Sequence, residues 1–155
     1  MTEMSLQTAV GAFVVMSAAG AVVSAREDLR GEVLGWQPPG PVGRNLALGI
    51  GSGTSPPWPM VAAALAAAIR AHQRPDRVWP GRTCVAIGCG VIAGVLIEPV
   101  TWGRCGSRAA RTLNRLGLPI GLELVRAGRR SIHGAQDSAA LSPSHSAALS
   151  PSHAV

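Results

Sequence analysis

Residues 83–101, TCVAIGCGVIAGVLIEPVT, form an apolar stretch that carries no charge before Glu98. A helix rises about 1.5 Å per residue, so this stretch would extend roughly 28 Å, close to the thickness of the hydrocarbon core of a bilayer. Eight of its side chains are Val, Ile or Leu, and together they favour insertion by roughly 2.4 to 4.8 kcal/mol. Glu98 lies near the end, where a carboxylate costs less than the roughly 3 kcal/mol of a charge at the bilayer centre. The stretch therefore predicts a transmembrane helix.

The residues around this stretch support the same prediction. Trp79 precedes it and Trp102 follows it, while Trp58 precedes an earlier apolar stretch. Amphipathic indole rings favour the two membrane–water interfaces, so we predict that these three tryptophans are interfacial anchors. The alternative is a soluble β-hairpin that turns at residues 88–90, because short apolar runs are ambiguous between strand and helix.

The composition also favours a membrane protein. Charged residues make up 14% of the chain, against about 25% in soluble domains. With one Phe and no Tyr, a soluble core would lack its usual large side chains. Arginine supplies the basic charge in place of lysine, and the net charge of +6 suits an anionic partner, either lipid headgroups or nucleic acid. The three cysteines include no C-x-x-C pair, so we predict no disulfide framework, no metal site and no cofactor.

Two further membrane helices are predicted before residue 83. Residues 7–25 carry no charged side chain, and we expect them to form a retained first span. The alternatives are a soluble core helix and a signal peptide cleaved after small residues, although the basic residues that begin a signal peptide are missing. Residues 56–71 begin with prolines, which the first turn of a helix tolerates, and continue as an alanine-rich helix about 24 Å long. This helix is short for a span, and snorkelling of Arg70 would extend its reach.

Two features of the apolar stretch are candidates for function. Ala86, Gly90 and Gly94 recur every four residues, so they share one face of a helix in the small-xxx-small pattern of close helix packing. We predict that this face packs against the first or the second predicted helix, and it could also support a homo- or hetero-oligomer. Glu98 is either a boundary acid or an ion-coupling carboxylate near the membrane.

Residues 104–130 form a basic amphipathic pattern. Six arginines fall in one sector of a helix, and leucine and isoleucine project from the opposite side; the arginines are Arg104, Arg108, Arg111, Arg115, Arg126 and Arg129. Gly117, Pro119 and Gly121 are expected to break the segment into two short helices. We predict that the segment lies in the membrane interface, where its arginines contact anionic lipid headgroups. Nucleic-acid binding is disfavoured because no aromatic residue is interleaved, whereas a solvated face without a partner stays open.

The C-terminal residues 131–155 are predicted to be a disordered tail. They contain a tandem repeat of SAALSPSH at residues 138–145 and 146–153. Ser, Pro and Ala without bulky apolar residues bury too little surface to offset the entropy lost on ordering.

These patterns together predict an all-α fold, a small multi-span helical membrane protein with about three transmembrane helices in residues 1–103. The arginines near each span favour a multi-pass protein of the plasma membrane, with its N-terminus outside and its C-terminus in the cytoplasm. No catalytic constellation is recognisable, so the predicted role is non-enzymatic packing with partner helices or anionic lipid. The alternatives are a transport or ion-coupled subunit that uses Glu98, and a secreted or soluble arginine-rich anion-binding protein.

Overall fold

The computed structural model describes residues 4–30, 39–48, 51–52, 54–104 and 106–141. Within these residues the chain is helical and forms no β-strand beyond one isolated bridge between Ser52 and Ser55, which confirms the predicted all-α class. The helices are α1 (Leu6–Glu27), α2 (Val42–Ala47), α3 (Trp58–Gln73), α4 (Trp79–Ile97) and α5 (Arg108–Ala140), with a 3₁₀ turn at Pro99–Trp102.

Local chemistry explains where the long helices begin and end. Ser5 and Ser107 cap α1 and α5, and each side chain accepts a hydrogen bond from the backbone N–H three residues later, at 3.1 Å. Both α3 and α4 carry a proline in their first turn, where the missing N–H has no acceptor to lose. Helix α4 ends at Ile97 because Glu98 is extended and is followed by a proline.

Four helices form an antiparallel bundle. The N-terminus of α5 meets the C-terminus of α1, where the Ser107 N–H donates to Glu27 Oε2 at 2.9 Å. Farther along the same pair, Arg130 Nη2 donates to the carbonyl oxygen of Met4 at 2.9 Å. Helix α4 also packs against α5, and α3 packs against both α4 and α1. The order α1, α3, α4, α5 therefore describes an up-down-up-down four-helix bundle.

The closest contact in the bundle joins α4 to α5 through glycines. A β-carbon on Gly88 would lie 2.5 Å from the carbonyl oxygen of Gly121, and one on Gly128 would lie 2.6 Å from that of Gly81. Both helices thus place glycine at an interval of seven residues, which keeps the contact on one seam of two helices that pack nearly antiparallel. The two backbones touch because no side chain separates them.

The core is built from few large side chains and many small ones. Phe13 and Leu124 are fully buried, and so are the alanines Ala64 and Ala67 of α3. Small residues let the helices approach closely, and dispersion contacts between the backbones replace those that larger side chains would supply.

The structure corrects the predicted breaks after residue 103. Arg108–Ala140 is one continuous helix with Pro119 inside it, so the prediction of two short pieces is wrong. Gly117 faces α4 instead of breaking the helix: a β-carbon there would lie 2.7 Å from Val95 Cγ2. The predicted disorder is also wrong for residues 131–140, which continue α5 and bury Ala135. Residues 142–155 of the predicted tail lie outside the described residues.

Among the described residues, two helices, α1 and α4, are long and apolar enough to cross a membrane. Helix α4 starts four residues before the predicted stretch and ends before its last four. Helix α3 has 16 residues and a length of about 24 Å, and it is not one of the two. The predicted count of three spans therefore does not follow from length and composition.

Candidate functional site

Charge is concentrated at the two ends of the bundle. We name them the Glu27 half, where α1 and α4 end and α5 begins, and the Met4 half, where α1 and α4 begin and α3 and α5 end. The Met4 half carries seven arginines, namely Arg70, Arg74, Arg77, Arg82, Arg126, Arg129 and Arg130. The Glu27 half carries six, namely Arg26, Arg30, Arg104, Arg108, Arg111 and Arg115, and Arg44 lies on α2. The two halves are therefore almost equally basic.

The surface between these halves is apolar on three of the four helices. No charged side chain occurs at residues 6–25 of α1, 58–69 of α3 or 83–97 of α4. Large apolar side chains instead face outwards, with Val15 70% exposed and Ile69 56% exposed. A contiguous apolar surface of this kind marks contact with a membrane or with another protein.

Helix α5 carries charges closer to the middle, and these are hydrogen-bonded. Arg115 Nε donates to the carbonyl oxygen of Thr101 at 3.1 Å. Glu123 Oε1 and Arg126 Nη1 form an ion pair at 2.7 Å. Between Arg115 and Glu123 the helix is uncharged. The central polar groups of α5 are thus paired within the protein, which lowers the cost of placing them near lipid.

A buried polar network joins the end of α4 to α5. The Thr101 hydroxyl donates to the carbonyl oxygen of Val95, and Asn114 Nδ2 donates to Thr101 Oγ1 at 2.7 Å. Beside this network the Arg111 side chain covers Gly103, where a β-carbon would lie 3.0 Å from Arg111 Cζ. Arg111 Nε is buried and makes no hydrogen bond to the described residues. The junction is basic, and its hydroxyl and amide groups join α4 to α5.

The six arginines predicted to contact lipid do not form one surface. Arg104 precedes α5 and is exposed, whereas Arg111 is half-buried against the 3₁₀ turn. Arg126 and Arg129 lie in the other half of the bundle, and Arg108 and Arg129 are separated by about 31 Å along the helix. Helix α5 also runs antiparallel to α1 and α4 over their full length. If those two helices cross a bilayer, α5 runs beside them through it instead of lying flat in one interface; the lipid contacts of these arginines stay a prediction.

The predicted small-residue face lies on the outside of α4. Ala86, Gly90 and Gly94 are exposed, and nothing approaches within 4 Å of a β-carbon placed on Gly94. A β-carbon on Gly90 would meet only Met60 of α3, at 3.5 Å. Close packing within the chain instead uses Gly81 and Gly88 with Gly121 and Gly128. Gly81 and Gly88 are seven residues apart, as are Gly121 and Gly128, and this spacing is the sequence signal that could have predicted the contact.

Glu98, Trp79 and Trp102 lie towards the ends of the bundle, whereas Trp58 lies near its middle. Glu98 is half-buried at the C-terminus of α4, where its backbone N–H donates to Gly94 O at 3.1 Å. Trp102 is exposed at the end of α4 in the Glu27 half and Trp79 in the Met4 half. Trp58 is also exposed, but it lies beside Val14 and Ser17 at mid-length of α1. Indole rings are thus present at both levels at which interfacial anchors would be needed.

Hydroxyl groups also attach the segment before α3 to α1. Thr54 Oγ1 donates to the carbonyl oxygen of Gly20 at 2.8 Å and lies 2.7 Å from Ser24 Oγ. Ser55 Oγ donates to the carbonyl oxygen of Ser17 at 3.2 Å. The lack of a side chain at Gly20 lets the segment lie directly on α1. These serines and threonines carried no recognisable motif, and only the fold brings them together.

The described residues contain no group of three His, Cys, Asp or Glu side chains that could hold a metal ion. No protein-family model, no curated protein and no solved structure matches the chain. The distribution of charge and apolar surface over the bundle is therefore the feature of the molecule that bears on its function.

Proposed function

We propose that this chain is a small multi-pass membrane protein without enzymatic activity, which packs with partner helices and contacts anionic lipid. The observation that supports this proposal is the exterior of the bundle. Apolar side chains cover the middle of α1, α3 and α4, while arginines and tryptophans occur at both ends. Lipid tails can surround the apolar middle of the bundle, and its two basic ends can reach the headgroups of both leaflets.

In this proposal all four long helices cross the membrane together. Arg108 and Arg129 of α5 are separated by about 31 Å, which is close to the hydrocarbon thickness, so they reach opposite headgroup layers. The outward polar positions of α5 face a partner helix or water instead of lipid. Helix α3 begins beside Val14 and Ser17, near the middle of α1. The crossing between α1 and α4 is therefore completed by Thr54 and Ser55 before α3, which are hydrogen-bonded to α1.

This arrangement replaces the predicted orientation. The N-terminus outside and the C-terminus inside require an odd number of crossings, whereas α5 returns to the level of Met4. The start of α1 and the end of α5 are therefore on the same side of the membrane in our proposal. The arginine count does not select that side, because both halves carry similar numbers.

Extraction of membranes with alkaline carbonate tests the proposal. We expect the expressed full-length protein to remain in the membrane pellet and to be released by detergent. Release into the supernatant by carbonate alone would contradict membrane integration. A soluble or secreted arginine-rich anion-binding protein would then be the better account, since a four-helix bundle with an amphipathic α5 is also compatible with water.

An ion-coupled or transport subunit is the second membrane role to test. Glu98 is the acid closest to the apolar part of α4, and a carboxylate at this position is a recurrent feature of ion pathways. We expect Glu98→Gln to leave proton flux in reconstituted vesicles unchanged if the protein is a packing component. A loss of flux in this variant would favour the ion-coupled role.

A further inference from the structure

The outer face of α5 combines apolar and charged side chains around Pro119. Pro119 is exposed, Leu116 is 48% exposed and Leu122 is 40% exposed. Arg115 and Glu123 lie four residues before and four residues after the proline. At about 100° per residue, these four neighbours all project within about 60° of Pro119, so they share one face of the helix. This face is therefore a candidate surface for a partner.

The charges of this face lie deep if α5 crosses the membrane. Arg115 and Glu123 are each about 6 Å from Pro119 along the helix axis. Arg115 Nε donates to the carbonyl oxygen of Thr101, and Glu123 Oε1 pairs with Arg126. These bonds use only part of each group, because a guanidinium has further N–H groups and a carboxylate has a second oxygen. Charged groups at this depth are expected to face a polar partner instead of lipid tails.

The order of the charges selects an antiparallel copy of α5 as that partner. Arg115 and Glu123 are equally far from Pro119 and opposite in charge. If two copies of α5 pack antiparallel with Pro119 at the twofold axis, Arg115 of each copy lies level with Glu123 of the other. A parallel pair would instead bring Arg115 level with Arg115 and Glu123 level with Glu123, and like charges repel strongly where water is scarce.

Antiparallel packing inside a membrane requires the two copies to insert in opposite orientations. The difference in Lys and Arg between the two sides largely sets the orientation of a multi-pass protein. This chain has no Lys, and all of its arginines lie within the described residues. The Met4 half carries seven and the Glu27 half six, with Arg44 on α2. So small a difference favours neither orientation.

We propose that the chain inserts in both orientations and that two oppositely oriented copies pack through the outer faces of α5. Pro119 lies at the twofold axis, and two reciprocal ion pairs join Arg115 to Glu123. The inference rests on the proposed membrane location, and it identifies the partner helix as α5 of a second copy.

Disulfide cross-linking tests the pairing in carbonate-washed membranes. Single cysteines are introduced into a background with Cys84→Ala/Cys89→Ala/Cys105→Ala, and the membranes are oxidised with copper phenanthroline. We expect Pro119→Cys to give cross-linked dimers, because its two copies meet at the axis. Thr112→Cys should give none, because its two copies would be about 21 Å apart along the helices.

Co-expression supplies the matched control for this register. Thr112 and Arg126 lie seven residues before and seven after Pro119, so a chain with Thr112→Cys should cross-link to one with Arg126→Cys. Cross-linking of Thr112→Cys to itself would indicate a parallel pair and would overturn the proposal. Absence of the Pro119→Cys dimer from carbonate-resistant protein would also overturn it.

Exchange of the two charges tests the ion pairs. In the Pro119→Cys variant, Arg115→Glu should lower the cross-linked fraction at least about ten-fold, because it brings carboxylates level with each other. The double substitution Arg115→Glu/Glu123→Arg should restore cross-linking. The two residues are about 12 Å apart along one helix, so the exchange restores pairs only between copies. Failure of this rescue contradicts the proposed ion pairs.

Labelling of intact cells tests the two orientations. Gln73→Cys lies in the Met4 half and Ala109→Cys in the Glu27 half, both at exposed positions of the cysteine-free background. A maleimide that does not cross membranes should label roughly half of each variant, relative to permeabilised cells. Labelling of one variant in full and of the other not at all would show a single orientation and overturn the proposal.

Removal of arginines from one half should shift this balance. Arg74→Gln/Arg77→Gln should raise the labelled fraction of Gln73→Cys, whereas Arg104→Gln/Arg108→Gln should lower it, because the more basic side stays in the cytoplasm. Unchanged labelling in both cases would contradict the proposal. If carbonate releases the chain, the membrane proposal fails as well. Carbonate-resistant chain in one orientation refutes the antiparallel pair alone.

Discussion

Individual glycines of α4 differ sharply in what surrounds them. A β-carbon on Gly88 would lie 2.5 Å from a backbone oxygen of α5, whereas one on Gly94 would have nothing within 4 Å. Backbone atoms cannot move aside as the end of a flexible side chain can. We therefore expect replacement of glycine by alanine to destabilise the protein at Gly88 and to stabilise it at Gly94.

We predict that Gly88→Ala lowers the free energy of unfolding by about 1–3 kcal/mol, the usual cost of overpacking. Gly94→Ala should raise it by about 0.5–1 kcal/mol, because alanine loses less conformational freedom in a helix. Chemical unfolding of the detergent-solubilised protein, followed by circular dichroism, measures both. Similar values for the two variants would show that α4 and α5 do not meet at Gly88.

The buried hydrogen bonds of Thr101 give a second prediction for single residues. Thr101→Val leaves Asn114 Nδ2 and the Val95 carbonyl oxygen without their partner and should cost about 1–3 kcal/mol. Asn114→Ala removes one bond and leaves the bond from Thr101 to Val95 intact, so we expect a cost nearer 1 kcal/mol. A double-mutant cycle should give a coupling of at least about 0.5 kcal/mol. Additive effects would contradict the network.

At the scale of elements, the segment before α3 depends on its contact with α1. A β-carbon on Gly20 would lie 2.0 Å from the carbonyl oxygen of Thr54, whereas one on Gly11 of the same helix would meet nothing within 4 Å. We predict that Gly20→Ala increases the amide hydrogen exchange of Ser52 and Ser55, whose backbone N–H groups bond to each other's carbonyl oxygens, and that Gly11→Ala does not. Unchanged exchange of this segment in Gly20→Ala would contradict the described contact.

The helices were predictable from the sequence, but their contacts were not. Uncharged stretches, and prolines in the first turn of α3, predicted α1, α3 and α4 to within a few residues. Gly117, Pro119 and Gly121 suggested a break in α5, because local propensity takes no account of packing against α4. The small-residue face was assigned from a spacing of four, whereas the closest contact uses a spacing of seven. The side of α4 on which its partner helix lies decides which of these two glycine faces is buried. The sequence alone does not show on which side the partner lies.

For the whole molecule, the sequence indicated an apolar middle and basic ends but not the number of crossings. The flanks of the apolar stretches placed Trp79 and Trp102 towards opposite ends of the bundle, but not Trp58, which lies beside the middle of α1. The return of α5 to the level of Met4 comes from tertiary pairing, through contacts such as that between Arg130 and Met4. The hydrogen bonds that attach Thr54 and Ser55 to α1 could not be predicted from the sequence either, because they join residues 30 and 38 positions apart.

The central claim is that the middle of the bundle lies among lipid tails, and Cys89 tests it most directly. Cys89 is exposed on the outside of α4, so water would reach it in a soluble bundle. The variant Cys84→Ala/Cys105→Ala keeps Cys89 as the sole thiol. Its control carries Gln73→Cys with all three native cysteines replaced by alanine, which places the thiol in the Met4 half.

Both variants are treated in open membrane fragments with a water-soluble charged maleimide, and labelling rates are compared before and after denaturation in SDS. We predict rapid labelling of the thiol at position 73 in intact membranes, and labelling of Cys89 only after denaturation. Equally rapid labelling of Cys89 in intact membranes would contradict a membrane-embedded bundle.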